Sequence, residues 1–128
     1  MSTVRMFKIT LQEARAKGAA EAGHSGYEVF APLDESGHID LDGWKKDRSR
    51  CFVHRLDHGA IVERGLLVHR AGGAGGATWA FDYEAGTDAD EEQGYRFAAH
   101  AFVAGEYVSI RNEDGELVTY RVATVTPA

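Results

Sequence analysis

The chain has 128 residues, 44% of them hydrophobic and 27% charged, which suits one compact domain burying roughly two thirds of its extended surface. Fourteen Lys and Arg stand against twenty Asp and Glu, a formal charge of −6 with neutral histidine. These figures exclude collagen-like, disulfide-scaffolded and low-complexity chains, and the acid excess argues against general DNA or RNA binding, which needs a basic face to displace counterions.

No apolar stretch reaches the ~18 residues a transmembrane helix needs, and Met1-Ser-Thr-Val-Arg-Met-Phe-Lys8 lacks the apolar core of a signal peptide. Cys51 is the only cysteine, which rules out an internal disulfide and a thiolate zinc cage. A single cytoplasmic domain with no membrane partner is therefore expected.

In chain order, Met6–Ile9 reads as a short strand. Thr10-Leu-Gln-Glu13 has capping-box spacing, in which hydroxyl and carboxylate satisfy the first free amides of a helix. The Ala-rich run Ala14–Ala22 follows, with Gly23 placed to end it, so a helix is expected there. Its core face (Leu11, Ala14, Gly18, Ala22) is small and suits flat packing. Tyr27–Ala31 reads as a strand ended by Pro32, and Asp34-Glu-Ser-Gly37 as a turn. Asp40–Lys46 fits one helical turn, with Asp40 as cap and Trp44 as apolar anchor.

From Cys51 onward the pattern is repeatedly β-like. Cys51–Leu56 and Ile61–His69 flank Asp57-His58-Gly59, read as a three-residue hairpin loop with Gly59 left-handed. Thr78–Tyr83 and Tyr95–Val103 flank an acidic loop. Tyr107–Arg111 and Leu117–Val125 flank Asn112-Glu-Asp-Gly115, the clearest hairpin in the chain. Val108 and Ile110 share one face of their strand, as do Val118, Tyr120 and Val122 of theirs, and Trp79, Phe81 and Tyr83 of a third. The expected fold is mainly β: a small antiparallel barrel or strongly bent sheet carrying one short helix near the N-terminus.

Trp79-Ala-Phe-Asp-Tyr83, Asp90-Glu-Glu-Gln-Gly-Tyr-Arg96 and His100-Ala-Phe-Val-Ala-Gly-Glu-Tyr-Val-Ser-Ile110, with Ala31-Pro-Leu-Asp34 and Trp44 upstream, resemble a family of short bacterial proteins of unknown function. The resemblance covers most of the chain and implies no activity, cofactor or site. Gly105–Ile110, Gly115 and Tyr120-Arg-Val122 are also similar to the closing hairpin of many small barrels, a folding device shared across functions.

Several constellations bear on chemistry. His54-x-x-x-His58 resembles half a zinc motif, but four steps along a strand separate the rings by ~13 Å, too far for one ion. His54 is expected opposite Val62 or Glu63, depending on register. Cys51 and His54, three apart on a strand, point to opposite faces, so Cys51 reads as a small buried hydrophobe. Arg70-Ala-Gly-Gly-Ala-Gly-Gly-Ala77 lacks the Gly-Lys-[Ser/Thr] and following helix of a phosphate loop and reads as a hairpin connection. Asp82–Glu92 carries six acids and no Lys or Arg, which makes Asp88, Asp90 and Glu92 the metal candidates for a divalent cation, against a solvated acidic loop. Lys45, Lys46, Arg48 and Arg50 place four bases in six residues, the candidates for contact with an anion or an acidic partner. His100, among Phe97, Ala99 and Phe102, is the catalytic candidate.

These residues favour a non-enzymatic binding or interaction module with no resident cofactor, taking a protein or small-molecule ligand, with a homodimer as a further expectation. The competing reading is a small enzyme joining His100 to Asp82 or Glu84 for acid–base or metal-assisted chemistry. A third is an accessory nucleic-acid contact through the basic run.

Overall fold

The structure, a computed structural model, describes residues 5–14, 25–69, 79–83, 91–95, 101–111 and 116–128. Period-two alternation sets its architecture. In β1 (Met6–Glu13) Ile9 and Leu11 are buried while Lys8 and Gln12 face out; in β2 (Ser25–Pro32) Tyr27, Val29 and Ala31 are buried around Glu28 and Phe30. The strands β3 (Phe52–Asp57), β4 (Ala60–His69), β5 (Trp79–Asp82), β6 (Glu91–Tyr95), β7 (Tyr107–Arg111) and β8 (Leu117–Pro127) follow. Each pairs antiparallel with the next, and β8 pairs with β1 to close an eight-stranded barrel. The interior of such a barrel is about wide enough to be filled by side chains. Here Ile9, Leu11, Val29, Val53, Leu67, Phe81, Val108, Ile110 and Val122 fill it, with Tyr27 set against Phe81 and Tyr120 at ring-centroid distances of 5.2 and 5.1 Å. Burying a side chain of this kind contributes about 1.5–3 kcal/mol.

Lys8, Glu28, His54 and Arg64 lie on the outer face. Among the described residues no helix is long and apolar enough to cross a membrane.

The one α-helix among the described residues is α1 (Leu41–Lys46). Asp40 stands at its N-cap position without a side-chain capping bond, and Trp44 is buried, 7% exposed, as its anchor. α1 caps the barrel at the end where β2 leaves and β3 enters.

Four expectations need correction. Thr10–Glu13 is strand, not a capping box: Thr10 pairs with Glu28 and Thr124, and Glu13 with Tyr120. The proposed helix lies, from residue 15 to 22, outside the described residues. The loop between β3 and β4 has two residues, not three, because Asp57 pairs with Ala60. His58 and Gly59 then both take positive φ, 51° and 80°, the backbone of a type I′ turn. A bulge follows, pairing Arg55 with Glu63 but Leu56 with Ile61, so His54 faces Arg64 rather than Val62 or Glu63. Of the strand expected over Tyr95–Val103, Tyr95 ends β6, Glu91–Tyr95, residues 96–100 lie outside the described residues and Ala101–Val103 is not strand, while Glu91 and Glu92 of the acidic run pair with Asp82 and Phe81. Phe102, beyond that strand, is buried in the loop before β7, its amide donating to Gly37 O at 2.8 Å. The β7–β8 hairpin matches its expected pairing, though its turn, residues 112–115, lies outside the described residues.

Candidate functional site

β4 is longer than β3, and the cleft arises from that mismatch. Pairing between them ends at Phe52↔Leu66, after which Leu67 N–H donates to Cys51 O at 3.1 Å. The chain before Cys51 turns away into a 3₁₀ turn, Arg48–Arg50, and into α1. The Leu67 carbonyl, which a longer β3 would have paired, instead accepts the Trp44 indole N–H at 2.8 Å. The alternation of an antiparallel ladder turns the His69 backbone toward the same gap.

Aromatic side chains line the seam. Trp79 meets Trp44 edge-on at 5.5 Å, and His69 stacks edge-on to Trp79 at 4.9 Å and lies 6.0 Å from Trp44. The Arg48 guanidinium lies 4.6 Å above the Trp44 ring, within cation–π range. Gly43 allows the tight seat of α1, since a Cβ there would come 3.0 Å from Pro32 Cβ. A cleft of about 390 Å³ opens between α1, the 3₁₀ turn and β4, lined by Trp44, Lys45, Arg48, Leu66, Leu67, Val68 and His69.

Two of the four basic candidates therefore meet one cleft. Lys45 and Arg48 line it; Lys46 and Arg50 do not, and Arg50 holds Asp47 at 2.8 Å. His100, Asp88 and Asp90 lie outside the described residues, as do Glu84 and the Gly-rich run 70–77. Glu92 is on β6, and Asp82 is a buried acid on β5. Among the described residues no group of three or more His, Cys, Asp or Glu is placed to hold a metal ion.

Two further polar groupings stand elsewhere. On the outer face Glu28 receives His54 Nδ1 and Lys8 Nζ, both at 3.1 Å, while Phe30 and Phe52 stack at 4.4 Å beside the imidazole. Burial pushes the Glu28 carboxyl up, but the bonds from His54 and Lys8 outweigh it and hold its pKa below the ordinary 4.5. At the barrel end opposite α1, Arg55 and Glu63 pair at 2.7 Å and Ser25 Oγ donates to Glu13 at 3.4 Å, beside a recess of about 430 Å³. Cys51 is fully buried, its thiol pushed up to about 11 chiefly by burial, so it is a packing residue and a poor nucleophile.

Sequence reasoning missed His69 and Leu66 as parts of the cleft and the Trp44–Trp79 contact beside it, because they come from three elements joined only by tertiary structure. The one linear signal was Trp44 beside the basic run.

The fold and cleft define a small closed antiparallel β-barrel with a cationic, aromatic-flanked cleft at its capped end. Comparison with protein-family models, curated proteins and solved structures finds no match.

Proposed function

We propose that the chain is a non-enzymatic binding module that takes a small anionic ligand in the cleft between α1 and β4. The observation that carries this reading is the convergence of Lys45 and Arg48 on a cleft whose described lining holds an imidazole, from His69, and no carboxylate. Such a lining is suited to holding an anion; acid–base chemistry calls for a carboxylate beside the histidine, as in the alternative of a small enzyme. The volume falls within the range of small-ligand sites, about 300–1,000 Å³.

Titration with inorganic phosphate, followed by the NMR signals of the Trp44 indole and the Lys45 and Arg48 amides, tests the reading. Saturable shifts confined to these signals are expected, with affinity falling about tenfold or more in Lys45→Glu or Arg48→Glu, the scale of one charge-assisted bond. Shifts absent, or unchanged by either reversal, would sink it.

A homodimer is a second reading, favoured by the exposed apolar side chains of β4: Ile61, Val62 and Leu66 are 43%, 53% and 45% exposed. Barrel closure leaves no open sheet edge for self-pairing, so a dimer would form through these side chains. Sedimentation equilibrium of the protein and of Val62→Lys distinguishes the states: a dimer lost in the variant supports this reading, and a monomer at all concentrations refutes it.

A further inference from the structure

The composition of the cleft, beyond its charge, points to a class of ligand; resting on the binding reading above, we infer that it takes a small aromatic acid, one flat ring bearing a carboxylate or phosphate. Four observations converge. Lys8, Arg50 and Arg55 each hold a carboxylate, yet among the described residues none lies within 4.0 Å of Lys45 or Arg48, in a chain with an acid excess. Among the described residues the two cations that face the cleft thus hold no carboxylate that an outside anion would have to displace. The Arg48 Cζ lies over the Trp44 ring, 4.6 Å from its centroid, and a guanidinium resting on an aromatic face keeps in-plane N–H donors that suit bidentate recognition of an acid group.

Opposite the cations the lining is apolar. Leu66 is 45% exposed beside Val68, and a ring laid there covers surface that water now meets. Trp44 and His69 line the same space, and flat rings gain from contact with aromatic neighbours where a puckered ring does not. The described lining has no carboxamide, hydroxyl or carboxylate side chain to read a nucleobase edge or sugar hydroxyls, and the Trp44 indole N–H is already engaged by Leu67 O. The volume, about 390 Å³, lies at the small end for ligand sites and suits one or two rings.

The experiment is a calorimetric and tryptophan-fluorescence titration of the intact chain with four probes: phenyl phosphate, inorganic phosphate, benzoate and cyclohexanecarboxylate. Phenyl phosphate is expected to bind at least about tenfold tighter than inorganic phosphate, and benzoate about fivefold tighter than its saturated analogue, the scale of a buried flat ring with its aromatic contacts. Arg48→Gln and Leu66→Ser, both exposed positions whose retained melting temperature certifies the fold, should each weaken the aromatic acids about tenfold. Leu66→Ser should leave inorganic phosphate unchanged. Equal affinity for phenyl and inorganic phosphate, or for benzoate and its saturated analogue, overturns the aromatic assignment while the anion-binding reading stands. Binding of none of the four overturns both, and binding of benzoate without phenyl phosphate, or the reverse, identifies which acid group the cleft accepts and supports the assignment.

Discussion

Glu28 illustrates how three side chains from three strands set one charge. Lys8 of β1, Glu28 of β2 and His54 of β3 occupy neighbouring outward positions, and the bonds from His54 and Lys8 overcome the burial of a carboxylate that is 22% exposed. Because its folded pKa is depressed, Glu28 contributes stability that is present above its unfolded value, near 4.5, and lost as pH falls through the lower folded value. Glu28→Gln is expected to cost about 1 kcal/mol or less at pH ~6, and the difference should close toward pH ~3. Urea melts of both proteins across that range check it; a gap independent of pH would mean that the His54 and Lys8 contacts do not act on this carboxyl. The sequence left Val62 and Glu63 open as the residue opposite His54, and the structure sets it against Arg64 on β4 and Glu28 on β2. The bulge at Val62, one residue, decided between neighbours that alternate from face to face.

At the scale of elements, β4 does the most. It pairs with β3 and β5 and supplies the floor of the cleft, and its Gly65 makes the crossing to β5 possible. A Cβ at Gly65 would stand 2.7 Å from Asp82 O and 2.8 Å from a Tyr83 ring carbon, and the backbone oxygen has little room to yield. Gly65→Ala is therefore expected to destabilise by about 1–3 kcal/mol, the cost of overpacking, despite the general preference of strands for alanine over glycine. A denaturation midpoint equal to that of the parent would show that β4 and β5 are not packed this closely. Strand extents were legible to within a residue or two for β2, β3, β4, β5, β7 and β8, since each carries its own alternation. β1 was half read: Ile9 and Leu11 alternate with Lys8, Thr10 and Gln12, a period of two that outweighs the capping-box spacing laid over it. α1 was legible because Asp40 and Trp44 mark its start and its buried face.

At the scale of the whole molecule, closure is the decisive event. β8 spends one half on β7 and the other on β1, with Ile9 opposite Val125 and Thr10 opposite Thr124. Deleting residues 123–128 removes the partners of Phe7, Lys8, Ile9 and Thr10, leaves that half of the β1 edge unpaired and uncovers Ile9, so a loss of several kcal/mol is expected against a typical total of ~5–15. Thermal unfolding followed by circular dichroism should then show an early, broad transition in place of a sharp one; an unchanged melting temperature would refute the closing role of β8. Closure also explains the charge arrangement: with no edge to protect, the chain places Lys8, Glu28, His54 and Arg64 on the wall rather than along a rim.

The sequence by itself determined that this chain is mainly β, that strands such as β1, β2 and β8 alternate buried with outward residues, that Cys51 is a packing residue, and that the basic run 45–50 is the densest positive feature of an acidic chain. These are local properties, written in a period of two, in turn residues and in composition. Only the tertiary structure decided that the bent sheet closes through β8 and β1 and that Glu28 rather than Glu63 meets His54. It alone brought Lys45 and Arg48 to one cleft with His69 and Leu66. The physical reason is the same in each case: strand register and the early departure of β3 from β4 depend on how many residues a turn or bulge consumes, and a single residue there exchanges every inward neighbour for an outward one.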